Sequence, residues 1–146
     1  MRAAISGSVL YLDSNIFIYA VERSHRWAEA AEDLLRAVEE KTVRAVASEL
    51  VLAEVLAKPF VDQNFEHIGR YKSLLSSGGG LSMIAVSRDV LMLAAQFRGD
   101  KGLKLFDAIH VATAQLASCD YFLTHDERLG RVLANQPKWL KLSEIN

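Results

Sequence analysis

Four acidic residues stand where acids are hardest to explain as ordinary surface charge: Asp13, Glu54, Asp107 and Asp126. Asp13 closes the apolar run Val9-Leu10-Tyr11-Leu12, and Asp126 follows Phe122-Leu123-Thr124 after one intervening residue. Both positions correspond to the carboxyl ends of strands, where open parallel sheets bind their ligands. Glu54 follows Leu50 and Val51 at helical spacing and directly precedes Val55 and Leu56, so it lies on or beside an apolar stripe. Glu49, about 140° round the same helix, falls on the solvated side. Asp107 shares a helix face with His110, Val111 and Ala114, which again turns a carboxylate inward.

Each acid alone has an ordinary explanation. Asp13, Asp107 and Asp126 all stand at helix starts, where Asp serves as a cap or first-turn residue, and Glu54 alone reads as a partly exposed helix residue. Together they make a different case. Acids are almost never buried without partners, and three or four converging carboxylates repel one another. A hard divalent cation with oxygen ligands is the simplest compensation.

These acids require a scaffold of alternating strands and helices, and the chain reads that way. Residues 8–12 form a buried strand, 16–21 a short helix and 26–40 an amphipathic helix carrying Trp27, Leu34, Leu35 and Val38. Residues 42–47 lean towards a strand, after which Ser48 caps a helix through Ala57 that Pro59 stops. A further helix over 62–75 ends in Gly78-Gly79-Gly80, a loop with no strand before it and hence no nucleotide-binding fingerprint. A strand over 81–86 is followed by a helix capped by Ser87 and broken at Gly99-Asp100-Lys101-Gly102. The helix over 105–118 is apolar nearly all round and should be the most buried. A strand over 120–124, a helix over 127–134 and a last strand over 139–142 complete the order. This alternation predicts an α/β fold, a three-layer α/β/α sandwich with a parallel sheet, as a single domain over 1–146.

Composition narrows the function. Seventeen Lys and Arg against 18 Asp and Glu leave a net charge of -1, which argues against nonspecific coating of nucleic acid, so any such contact must be local. Cys119 is the one cysteine, which excludes an internal disulfide, leaves no zinc-type Cys/His cluster and suits a reducing, cytoplasmic setting. The first apolar run is too short for a membrane span and ends at Asp13, so it reads as a strand and not as a targeting segment.

The ordered set Tyr11-Leu12-Asp13-Ser14-Asn15-Ile16-Phe17, Ser48-Glu49-Leu50-Val51-Leu52-Ala53-Glu54-Val55, Leu105-Phe106-Asp107-Ala108-Ile109-His110 and Phe122-Leu123-Thr124-His125-Asp126 resembles the PIN-domain nucleases, most of all the VapC-type toxins of toxin–antitoxin pairs. The resemblance covers essentially the whole chain. It implies an endoribonuclease using one or two Mg²⁺ or Mn²⁺ ions held by Asp13, Glu54, Asp107 and Asp126, with Asp126 the more variable ligand. It further implies that Thr124 supports the pocket by hydrogen bonding and that Ser14 assists it or touches the substrate. His125 stands where members often carry Asn. A metal in such a pocket lowers the pKa of bound water and stabilises the charge developing on the phosphate, with no Ser or His nucleophile. An RNA substrate, a cognate antitoxin and a homodimer are the implied partners, with no membrane.

Other residues carry weaker signals. His110 could orient a carboxylate or bind phosphate, although a satisfied histidine in a buried helix is the simpler reading. Lys101, Lys104, Arg128 and Arg131 could draw an RNA backbone towards the acids or be solvated surface. Phe17, Tyr19 and Trp27 could form a patch for a partner helix or belong to the core. Three other functions compete. A PIN nuclease maturing RNA without an antitoxin fits the same residues, while a PIN-like binding module without catalysis would not need all four acids. A haloacid-dehalogenase-type phosphatase also places Asp after its first strand, but needs Asp-x-Asp, and Asn15 occupies the second position. Whether tRNA, mRNA or rRNA is cut is open at this level.

Overall fold

The apolar run before Asp13 forms β1 (Val9–Leu12), whose last three residues are buried, as a central strand covered on both faces requires. The computed structural model describes residues 5–145. Parallel to β1 lie β2 (Arg44–Ser48) on one side and β4 (Tyr121–Leu123) on the other. β3 (Leu81–Ile84) extends the sheet beyond β2, and β5 (Lys138–Leu140) extends it beyond β4. The order is therefore β3-β2-β1-β4-β5, with every pairing parallel.

Parallel neighbours need crossover connections, and helices supply them. Helices α1 (Ser14–Glu22) and α2 (Ala28–Glu39) join β1 to β2, and α3 (Leu50–Val61) and α4 (Phe65–Leu74) join β2 to β3. Between β3 and β4 run α5 (Arg88–Lys101) and α6 (Leu105–Leu116), and α7 (Glu127–Val132) leads into β5. Because successive strand residues face opposite sides, the sheet builds two cores. Leu10, Leu12, Ala45, Ala47 and Leu123 pack with residues of α1 to α4, whereas Tyr11, Val46 and Phe122 pack with Val111 and Ala114 of α6 and Leu129 of α7. This is the expected α/β/α sandwich. No helix among the described residues is long and apolar enough to cross a membrane.

Two helices run past the stops the sequence predicts. Pro59 does not stop α3, which continues to Val61. A proline removes one helical hydrogen bond, but Pro59 is buried, and its carbonyl and that of Lys58 are taken up by Asn64 N and Asp62 N, each at 2.9 Å. Gly99 likewise stays inside α5, since one helical glycine costs only about 1 kcal/mol against alanine. The stop is Gly102, at φ 65°, a left-handed conformation glycine adopts without strain.

The chain moves outwards from β1 to β3 and then returns to the other flank of β1 at β4. The crossovers therefore diverge at the carboxyl ends of β1 and β4, leaving a crevice where this topology binds ligands. Asp13 follows β1 directly, and Thr124, His125 and Asp126 follow β4.

Candidate active site

Asp13 leaves β1 with φ -66° and ψ 154°, and so acts as the N-cap of α1. Its Oδ1 accepts from Ser14 N at 2.7 Å and, more distantly, from Ser14 Oγ at 3.4 Å. Its Oδ2 accepts from Thr124 Oγ1 at 2.8 Å, and the same hydroxyl oxygen accepts from Asp126 N at 3.1 Å. One buried threonine thus fastens the acid of β1 to the loop after β4. Thr124 is itself fixed, since its carbonyl accepts from Trp139 Nε1 at 3.0 Å and its N–H reaches Leu140 O at 3.1 Å. Asp13 is only 8% exposed, and burial raises its carboxyl above the ordinary value. His110 and the hydrogen bonds from Thr124 and Ser14 pull it down without cancelling that rise, and the charge of Glu54 adds to it.

Glu54 comes from α3, and its Oε1 lies 2.7 Å from His110 Nε2. The other ring nitrogen, Nδ1, lies 2.5 Å from the Tyr11 hydroxyl. Burial, with Asp13 and Glu54 nearby, raises the Tyr11 phenol well above its usual value, so it keeps its proton and donates to Nδ1. Nε2 then carries the imidazole hydrogen and donates it to the Glu54 carboxylate. His110 is 2% exposed and has both nitrogens paired. The carboxylate-orienting and satisfied-core readings of this histidine therefore coincide, because its satisfaction consists partly in holding Glu54, and neither ring nitrogen is left for a phosphate.

Asp107 occupies the first turn of α6, but Lys104 is the N-cap there, so Asp107 is not the helix cap its position suggests. Burial raises its carboxyl most, then the charges of Asp126 and Asp13, while His110 and Arg128 lower it. A first-turn acid gains about 0.3–1 kcal/mol from the helix dipole, whereas burial and repulsion by neighbouring acids act on Asp107 in the opposite direction. Asp126 is exposed and is the N-cap of α7, its Oδ1 accepting from Leu129 N at 3.2 Å. Glu49, by contrast, faces solvent as the helix geometry requires.

The structure thus brings Asp13 into electrostatic contact with both Glu54 and Asp107, and Asp107 with Asp126. Among the described residues, no three His, Cys, Asp or Glu side chains are gathered into a ready-made metal cage. An all-oxygen donor set with two carboxyls raised by burial and mutual charge fits a cation that uses few carboxylates and completes its shell with water, as Mg²⁺ does.

The flanking expectations divide. Phe17 is fully buried in the core and cannot belong to an exposed patch, while Tyr19 and Trp27 are partly exposed. Lys101 is turned to Val132 O at 3.1 Å and Arg131 to Glu127 at 3.2 Å, whereas the charge of Arg128 reaches Asp107. His25 carries no signal in the sequence, yet it stacks on Tyr19, with ring centroids 4.3 Å apart. His125 stacks on Trp27 at 4.8 Å with the rings only 8° from parallel. The second pairing could not be read from spacing, because it joins distant parts of the chain.

The PIN domain family matches residues 10–134. Among solved structures, the fold is similar to a toxin–antitoxin complex from Klebsiella pneumoniae, at 22% identity and TM-score 0.67, covering 91% of this chain and 97% of that one. It is similar to VapBC2 from Rickettsia felis bound to a DNA fragment from its promoter, at 18% identity and TM-score 0.70, covering 91% and 98%. A third likeness is to Mycobacterium tuberculosis VapC20, a sarcin-ricin loop cleaving toxin, at 13% identity and TM-score 0.67, covering 84% and 93%. At these identities the likeness is one of fold. No curated protein matches the sequence. Because the family match runs from β1 through the β4 loop and takes in all four acids, the chain belongs to the PIN domain family.

Proposed function

We propose that this protein is an Mg²⁺- or Mn²⁺-dependent endoribonuclease, the toxin of a toxin–antitoxin pair, acting as a single nuclease domain in the cytoplasm. Asp13, Glu54, Asp107 and Asp126 are its catalytic and metal-binding acids. The observation that carries the reading is the pair Asp13 and Asp107, brought together at the sheet's switch point with both carboxyls raised by burial and by neighbouring acids. Such a site is short of positive charge. Membership of the PIN family supports the nuclease, and the three similar folds, two of them toxin–antitoxin complexes and one an RNA-cleaving toxin, support the RNA substrate and the antitoxin. The exposed Phe60, Val61 and Phe65 about the α3–α4 turn offer apolar surface for a homodimer or an antitoxin.

A divalent cation in this pocket would supply Lewis-acid charge to the phosphate and lower the pKa of an attacking water. The chain's own residues prepare the place. Ser14 N and Thr124 Oγ1 each hold one oxygen of Asp13, and His110 holds one oxygen of Glu54, so both acids enter with their orientation set. Among the described residues no hydrogen bond is made to the Asp107 carboxyl, which leaves its oxygens available as ligands. Ser14 Oγ is only weakly engaged with Asp13 and can turn to a substrate oxygen.

The test is cleavage of RNA by protein purified free of contaminating RNase. Activity is expected with Mg²⁺ or Mn²⁺ and should disappear in excess EDTA. Full activity in EDTA would overturn the reading.

A further inference from the structure

Beside the acids lies a second concavity of a different chemical character. About 420 Å³ in volume, it is lined by Tyr19, His25, Arg26, Trp27, His125 and Lys141, together with Glu127 and Ser143. That volume lies within the range of small-ligand sites. Two of its residues tie it to the acid cluster. His125 sits between Thr124, which donates to Asp13, and Asp126. Tyr19 is close enough to Asp13 for that charge to raise its phenol, second to burial. A molecule in the cavity is therefore a neighbour of whatever occupies the acidic crevice.

The lining combines flat rings with cations. Trp27 stacks on His125, Tyr19 stacks on His25, and the two stacks approach through Tyr19 and His125 at 6.3 Å between centroids. Arg26 is exposed and lies 4.9 Å from the Trp27 ring centre. A base can take that place against the indole while the guanidinium turns to a phosphate. Lys141 lies 5.0 Å from the Trp139 ring and 3.3 Å from Glu127, and Glu127 is also paired with Arg131 at 3.2 Å. The one acid among these lining residues is thus already matched by two cations.

We propose that this cavity holds an unpaired nucleotide of the RNA next to the scissile phosphate, its base stacked on the Trp27 ring in the place Arg26 now takes and its phosphate met by Arg26 and Lys141. The proposal rests on the ribonuclease reading and adds a place for one unpaired nucleotide beside the acids. With a net charge of -1, the protein cannot gain affinity by spreading phosphate contacts over its surface, so a few local cations and stacking must supply it. Stacking on aromatic side chains tolerates any base but needs its face free, which a duplex denies.

The experiment measures binding apart from cleavage. Full-length protein carrying Asp107→Asn, which removes one repelling charge, is titrated in EDTA into a fluorescein-labelled RNA of mixed sequence, about 12 nucleotides long, read by anisotropy. The same strand is offered as a duplex and with abasic positions. Single-stranded RNA should bind, with the duplex and the abasic strand at least about tenfold weaker. Adding Trp27→Ala or Arg26→Ala should weaken binding of the intact strand by about tenfold, and Trp27→Phe should stay within about threefold of the parent because it keeps a ring. Arg26→Ala keeps the test readable if Trp27→Ala fails to fold. Equal binding of single strand and duplex, or parental binding by both alanine variants, would overturn the proposal. If wild-type protein nonetheless cleaves RNA with Mn²⁺, only the cavity assignment falls. Parental RNA binding combined with loss of antitoxin binding in these variants would assign the cavity to a protein instead.

Discussion

Asp13→Asn and Asp107→Asn should each lower RNA cleavage by more than about a hundredfold while the protein stays folded. The magnitude follows from the residues' proposed role, since altering even the groups that support metal ligands costs about 10–100-fold, and losing a ligand's charge costs more. The amide keeps the shape of the side chain in both cases. Asp107→Asn is the cleaner variant, because among the described residues no hydrogen bond is made to that carboxyl, whereas Asp13 accepts from both Ser14 and Thr124. In Asp13→Asn the amide oxygen could still accept from Ser14 N, but the amide nitrogen could not accept from Thr124, so part of the link to the β4 loop would be lost. Single-turnover cleavage with saturating Mn²⁺ is the measurement. Wild-type turnover by either purified variant would remove that acid from the mechanism.

The second large effect concerns stability and needs no substrate. Asp13 and Asp107 both have folded-state carboxyls raised above the ordinary value of 3.8. A group raised on folding binds more protons in the native state than in the unfolded chain between its two pKa values. Its contribution to stability is therefore greatest below the unfolded value and falls as pH rises towards and through the folded value. Metal-free wild type should accordingly lose part of its stability as pH rises from about 4, the unfolded value, and Asp107→Asn, which cannot ionise there, should gain relative to wild type over the same interval. Divalent metal reverses the sign at neutral pH. Mn²⁺ at about a hundred times its Kd stabilises the native state by about 2.7 kcal/mol, or about 5–10 °C in Tm for a domain of this size. That shift should shrink towards about pH 5 as the carboxyls protonate, and it should be small in Asp107→Asn. Thermal unfolding of both proteins at about pH 5 and about pH 7.5, with and without Mn²⁺, gives the comparison. A less stable metal-free Asp107→Asn, together with no Mn²⁺ shift in wild type, would make Asp107 a structural residue.

Much of this site can be read from local pattern because its acids sit at positions that local pattern governs. Asp13 and Asp126 are strand-end caps, and both caps form. Glu54 can be separated from Glu49 because a helix carrying Leu50, Val51 and Val55 on one stripe leaves only one of the two acids beside it. What spacing cannot reveal is contact over long separations. His110 pairs with Tyr11 across 99 residues and with Glu54 across 56, and no periodicity links three elements of that kind. The same limit hides the cavity formed by residues 19–27, His125 and Lys141. The helix ends expected at Pro59 and Gly99 fail for another reason, since each residue disfavours a helix by a local amount that burial and neighbouring hydrogen bonds outweigh. Phe17 and Tyr19, two residues apart on one helix, point about 200° apart, which accounts for one lying in the core and the other at its edge.

The most direct test of the acid cluster is calorimetric titration of Mn²⁺ into the wild-type protein, Asp13→Asn and Asp107→Asn at about pH 7.5, without RNA. The account predicts saturable binding to the wild type, with proton release from the raised carboxyls, and affinity lowered by more than about tenfold in each variant. Mn²⁺ binding of wild-type strength by both variants, or no binding by the wild type, would contradict it.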